Sequence, residues 1–134
     1  MKVVVDTNVL IAAFLTSGTA FEVLEVVLEE KIGVLSPYIL NEFEAVLKSK
    51  KFGFPVRLVD EFVKYLKTNC SIIAEDKRFN PDFSDAADRK ILALCQTIGA
   101  DMFLTGDKEL LALKQIGQTP IVSPSEFWKQ KRSI

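Results

Sequence analysis

What most constrains this chain is its opening run, MKVVVDTNVLIAAFL, a near-continuous apolar segment with Asp6, Thr7 and Asn8 set in its middle. Lys2–Val5 is short and β-branched and stops at a carboxylate, which fits a strand buried on both faces in the middle of a parallel sheet. Val9 to Phe14 reads as the helix that follows. Polarity therefore enters where the strand ends, and the carboxyl ends of strands are where open α/β sheets gather ligands.

The same alternation continues along the chain. Phe21, Leu24, Val27 and Leu28 recur at helical spacing in a second helix ending near Lys31, and Val34–Leu35 makes a very short second strand. Ser36–Pro37 is a helix start, with Ile39, Phe43, Val46 and Leu47 as the apolar face, and Gly53 and Pro55 close that stretch. A helix over Val56–Lys67, a strand at Ser71–Ala74 and a polar loop from Glu75 to Ser84 come next. A helix from Asp85 to near Gly99, a strand over Asp101–Thr105 and a short helix through Leu113 follow. Pro120–Val122 is a fifth strand, and Ser123–Pro124–Ser125 opens a last helix. This order predicts an α/β fold, a three-layer α/β/α sandwich around a short parallel sheet with right-handed crossovers.

A length of 134 residues suits a single domain over 1–134, large enough to bury a core without staples. The charge balance, 17 basic against 18 acidic residues, excludes a polyanion binder that works by its whole surface, so nucleic acid would have to be held locally. With no His, and with Cys70 and Cys95 forming no CxxC, a Cys/His zinc site and histidine acid–base chemistry are excluded. The two thiols read as buried residues of a reducing cytoplasm. No segment approaches the roughly 18–20 apolar residues that span a bilayer, and Thr16–Thr19 supplies no leader-type cleavage site. The expectation is a cytoplasmic protein with no membrane partner.

Four carboxylates stand out by position. Asp6 ends the first strand, Glu42 lies in the helix after the second, Asp88 lies early in the helix beginning near Asp85, and Asp107 sits just past the fourth strand. Each has an ordinary explanation. Asp6 or Asp107 could cap the next helix, Glu42 could be a solvated helix residue, and Asp85 and Asp88 could both serve a helix N-terminus. Asp101, at the opposite end of its strand from Asp107, is taken as structural. Together, carboxylates brought to one edge repel unless a cation lies between them, and Mg²⁺ or Mn²⁺ suits an all-oxygen donor set. Such a site activates water against a phosphoryl group without histidine.

At these residues the sequence resembles a family. VVVDTNVLIAAF, SPYILNEFEAVL, DAADRKILALC and ADMFLTGDKELL, in that order, are similar to the motifs of the PIN-domain ribonucleases, among them the VapC-like toxins of toxin–antitoxin pairs. The resemblance runs from Lys2 to Trp128. It implies Mg²⁺- or Mn²⁺-dependent hydrolysis of RNA phosphodiester bonds by Asp6, Glu42, Asp88 and Asp107, as both catalytic and metal-binding residues. It also implies supporting roles for Asn8 and Thr105, which match polar positions that orient the acids, and for Glu109. Asp85, three residues before Asp88, could share or replace its role. An antitoxin protein and a homodimer are the partners the resemblance implies.

Two other readings start from the same aspartate. A haloacid-dehalogenase-type phosphatase needs a second Asp two residues on, where this chain has Asn8, and a phosphoacceptor receiver domain needs an early acidic pair and its acceptor after strand three. A non-catalytic RNA- or partner-binding module is a further alternative. For backbone contacts, Lys48, Lys50, Lys51 and Arg57 lie near Phe52 and Phe54, which could stack on bases, although a solvated helix end with core aromatics explains them equally.

Overall fold

A computed structural model describes residues 1–132. In chain order the elements are β1 (Val3–Val5), α1 (Thr7–Leu15), α2 (Thr19–Glu29), β2 (Gly33–Leu35), α3 (Pro37–Lys48), α4 (Val56–Asn69) and β3 (Ser71–Ile72). They continue as α5 (Ala86–Ile98), β4 (Met102–Leu104), α6 (Lys108–Ala112), β5 (Gln115–Ile116), β6 (Thr119–Val122) and α7 (Pro124–Arg132). The sheet order is β3-β2-β1-β4-β6-β5. All neighbours are parallel except β5 and β6.

Val3, Val4 and Val5 are each 0% exposed. Successive strand residues point to opposite faces, so both faces of β1 are covered, as its continuous apolar run required. The strand order turns around at β1: β2 and β3 extend the sheet to one side, β4 and β6 to the other. Neighbouring strands whose connections leave in opposite directions open a crevice at their carboxyl ends. The crevice here lies between β1 and β4. Val5 pairs with Leu104 in that register, which sets Asp6 beside Thr105.

The helices follow from local chemistry. Ser36 caps α3 by accepting from Ile39 N at 3.1 Å, with Pro37 in the first turn, and Gly99 closes α5 in the left-handed conformation. The Phe14 ring lies 5.3 Å from that of Phe43 and 4.7 Å from that of Phe62, binding α1 to α3 and α4, and Phe54 reaches Phe62 at 6.4 Å. Aromatic pairs of this kind contribute about 0.5–1.5 kcal/mol beyond area burial. Among the described residues no single helix is long and apolar enough to cross a membrane.

The structure adds one strand to the five expected. Gln115–Ile116 forms a hairpin with Thr119–Pro120, turning through Gly117, whose φ of +58° is open to glycine without strain. The edge of the sheet is thus antiparallel. Strand three is also shorter than expected, ending at Ile72. Cys70 and Cys95 are free thiols, and burial pushes Cys70 up to about 12.

Candidate active site

Asp6 is the most constrained residue of the site. It is 5% exposed, and its backbone N–H donates to Leu104 O at 2.9 Å, which continues the β1–β4 ladder one residue past the strands. Its two carboxylate oxygens have different tasks. Oδ1 accepts from Thr7 N at 2.8 Å and caps α1, whereas Oδ2 accepts from Thr105 Oγ1 at 2.7 Å. One side chain therefore both caps α1 and joins the ends of β1 and β4.

Thr105 is fully buried and carries a second bond. Asp107 N donates to Thr105 Oγ1 at 3.1 Å, so a short relay runs from the Asp107 backbone through the Thr105 hydroxyl to Asp6. Asp107 caps α6 through Oδ1, which accepts from Glu109 N at 2.8 Å and Leu110 N at 3.4 Å. Asn8 fastens the two crevice loops, its Oδ1 accepting from Gly106 N at 3.3 Å. Glu109 is exposed, and it meets the site through its backbone N–H.

Glu42 and Asp88 come from helices. Glu42, in the second turn of α3, accepts from Tyr38 Oη at 3.3 Å, one helical turn earlier. Asp88 is half-buried in the first turn of α5, and Asp85, exposed, caps that helix by accepting from Asp88 N at 2.9 Å. The geometry thus divides the pair: Asp85 holds the helix start while the Asp88 carboxylate accepts no hydrogen bond among the described residues.

The electrostatics join these groups into one site. Asp6 is pushed up to about 6, chiefly by burial, against the Thr105 and Thr7 bonds, with Glu42 and Asp107 adding repulsion. Asp88 is also pushed up to about 6, by burial first and then by Asp85, Asp6, Asp107 and Glu42. Among the described residues no ion pair involves any of the four acids. Burial with like charges and no counter-cation leaves carboxylates that prefer a proton or a cation. The donor set is entirely oxygen, which suits a hard divalent ion.

Among the described residues no three metal-ligating side chains close into a ready-made cage. An ion such as Mg²⁺ keeps several of its waters, so a looser ring of carboxylates is compatible with it. A concavity of about 810 Å³ lined by Phe14, Phe21, Leu24, Phe62 and Tyr65 among others includes none of the four acids in its lining.

Two residues of this neighbourhood escaped the sequence reading, Tyr38 and Lys90. The four-residue spacing of Tyr38 and Glu42 on one helix face was the available signal. None of the ion pairs or ring contacts of the basic stretch at the end of α3 reaches the four acids among the described residues. Lys48 pairs with Glu44 and Asp60, Lys51 lies 5.4 Å from the Phe52 ring, and Phe54 packs against the core.

The family model for the PIN domain matches residues 2–109, a span that holds Asp6, Asn8, Glu42, Asp85, Asp88, Thr105, Asp107 and Glu109. The chain belongs to the PIN domain family. An uncharacterized protein of Methanocaldococcus jannaschii is 33% identical to this PIN domain over 119 residues, 85% of this chain and 76% of that protein. Among solved structures, VapBC2 from Rickettsia felis bound to a DNA fragment from their promoter matches with a TM-score of 0.67 at 15% identity. That match covers 92% of this chain and 98% of the other. FitAB bound to the IR36 DNA fragment matches with a TM-score of 0.63 at 16% identity, covering 91% and 94%. At these identities the likeness is one of fold.

Proposed function

We propose that this PIN domain is an endoribonuclease that hydrolyses RNA phosphodiester bonds with Mg²⁺ or Mn²⁺ and serves as the toxin of a toxin–antitoxin pair. The observation that carries the reading is Asp6, buried at the switch point of the sheet, fixed through both oxygens and repelled by Glu42 and Asp107, with no ion pair to it among the described residues. Structural aspartates rarely remain buried without a counter-charge, because desolvation and repulsion both act against them.

Asp6, Glu42, Asp88 and Asp107 are the residues that would hold the ion. Bound there, a divalent cation acidifies a water and offsets charge developing on phosphorus. The protein's contribution is placement. Thr105 fixes the rotamer of Asp6, Asn8 ties the α1 start to the β4–α6 loop, and Tyr38 steadies Glu42. Asp85 sets the first turn of α5 from which Asp88 projects. Glu109 supports the Asp107 cap through its N–H.

The toxin assignment rests on the family and on the fold shared with the VapBC2 and FitAB complexes. It entails an antitoxin partner, and it extends to a homodimer acting in the cytoplasm, which light scattering on the purified chain measures. For the chemistry, the protein is incubated with single-stranded and structured RNA in Mg²⁺ or Mn²⁺. Cleavage that chelator abolishes and added metal restores is the expected result. Cleavage indifferent to chelator, or release of phosphate from small phosphoesters without RNA cleavage, contradicts it.

A further inference from the structure

Beside the acids stands a cation, Lys90, that no carboxylate among the described residues pairs with. Lys90 Nζ lies 4.6 Å from the centroid of the Tyr38 ring, and the hydroxyl of that ring donates to Glu42 Oε2 at 3.3 Å. Tyr38 lies one helical turn before Glu42 on α3, so its ring joins Lys90 of α5 to the acidic site. Yet no ion pair among the described residues includes Lys90. Its neighbour Arg89 is committed elsewhere, with Nη1 donating to Phe83 O at 2.7 Å and Ser84 O at 3.1 Å.

We propose that Lys90, posted on the Tyr38 ring, is a substrate-binding residue that takes an RNA phosphate next to the scissile one. This rests on the ribonuclease reading above. An acidic crevice repels the polyanion it must admit, so a fixed cation at its rim serves entry. A ring face holds an ammonium by its quadrupole without using up its donors, which leaves them for a phosphate. A carboxylate in the same place would neutralise it. Tyr38 is then a positioning residue with two attachments, its hydroxyl on Glu42 and its ring under Lys90.

The test is steady-state cleavage of a short single-stranded RNA by the full chain in Mn²⁺, with binding of a fluorescein-labelled oligoribonucleotide measured in the Asp6→Asn background. Lys90→Gln is expected to raise KM about 5- to 10-fold with a smaller change in kcat. It should also lower the slope of log Kd against log salt by about 0.7, the value for one phosphate contact on a single strand. Lys90→Arg should restore most of the affinity, Tyr38→Leu should reproduce part of the KM rise, and Tyr38→Phe should retain the affinity. Unchanged KM and salt slope in Lys90→Gln, with the wild type cleaving RNA, overturns this role and leaves the ribonuclease reading intact. A wild type that neither cleaves nor binds RNA overturns both.

Discussion

Thr105 and Asp6, 99 positions apart in sequence, meet across the ends of two parallel strands in a 2.7 Å hydrogen bond from hydroxyl to carboxylate. The bond favours the charged form of Asp6 against the burial that opposes it. Thr105→Val, close in shape, removes this donor and also the acceptor for Asp107 N–H. A hydrogen bond to a charged group is worth about 1.5–3 kcal/mol, equivalent to about one to two pKa units. The acidic limb of the rate–pH profile should move to higher pH by that amount, with activity near neutrality about two- to tenfold lower. Thr105→Ser should keep the wild-type profile. An unshifted limb in Thr105→Val would remove Thr105 from the mechanism.

Without metal, the same site weakens the fold at neutral pH. Asp6 is pushed up to about 6 from an ordinary value near 3.8, so the folded state holds this proton more tightly than the unfolded chain. The contribution to stability is fully present below the unfolded value and is lost as pH rises through about 6. The loss is on the order of 3 kcal/mol at 1.36 kcal/mol per unit. Asp6→Asn should therefore be more stable than wild type at pH 8 in chelator, with the advantage shrinking towards pH 4. Denaturant titrations at both pH values measure this, and an equal difference at the two would refute the linkage.

Divalent ions should reverse that penalty. At a hundred times its Kd, a ligand specific to the folded state adds about 2.7 kcal/mol. Mg²⁺ or Mn²⁺ should raise the Tm saturably at pH 8, less at pH 5 where protons compete, and not in Asp6→Asn. The control is NaCl at matched ionic strength. A rise of equal size in Asp6→Asn would place the ion elsewhere.

Asp85 and Asp88 have separable roles. Asp85→Ala removes an N-cap and should cost about 1 kcal/mol of stability while leaving most of the activity. Asp88→Asn should leave stability near or above wild type and lower cleavage at least a hundredfold. The reverse pattern, with Asp85→Ala inactive and Asp88→Asn active, would exchange the two.

The architecture was legible because β1 and β4 are apolar runs that stop at polar residues, and such runs mean the same thing in any parallel sheet. Asp6 and Asp107 follow from where those runs stop, whereas Glu42 and Asp88 are the positions that the resemblance to the PIN-domain ribonucleases implies. The β5 hairpin was not legible, since Gln115–Ile116 is too short to show a period and its register comes from the turn at Gly117. Nor was the Thr105–Asp6 bond, which depends on the Val5–Leu104 register. The contact between Tyr38 and Lys90 joins α3 to α5, and no local pattern encodes the distance between two helices. Phe54 was ambiguous in sequence because burial of an aromatic is decided by its neighbours, here Phe62.

An Asp6-anchored, metal-dependent ribonuclease centre is read out by the initial rate of RNA cleavage by wild type and Asp6→Asn in Mn²⁺. Asp6→Asn keeps the size of the side chain and an oxygen for Thr7 N, so its fold is expected to be retained. The wild type is expected to cleave only with metal, and the variant to lose at least a hundredfold. Cleavage by Asp6→Asn at the wild-type rate would contradict that role for Asp6.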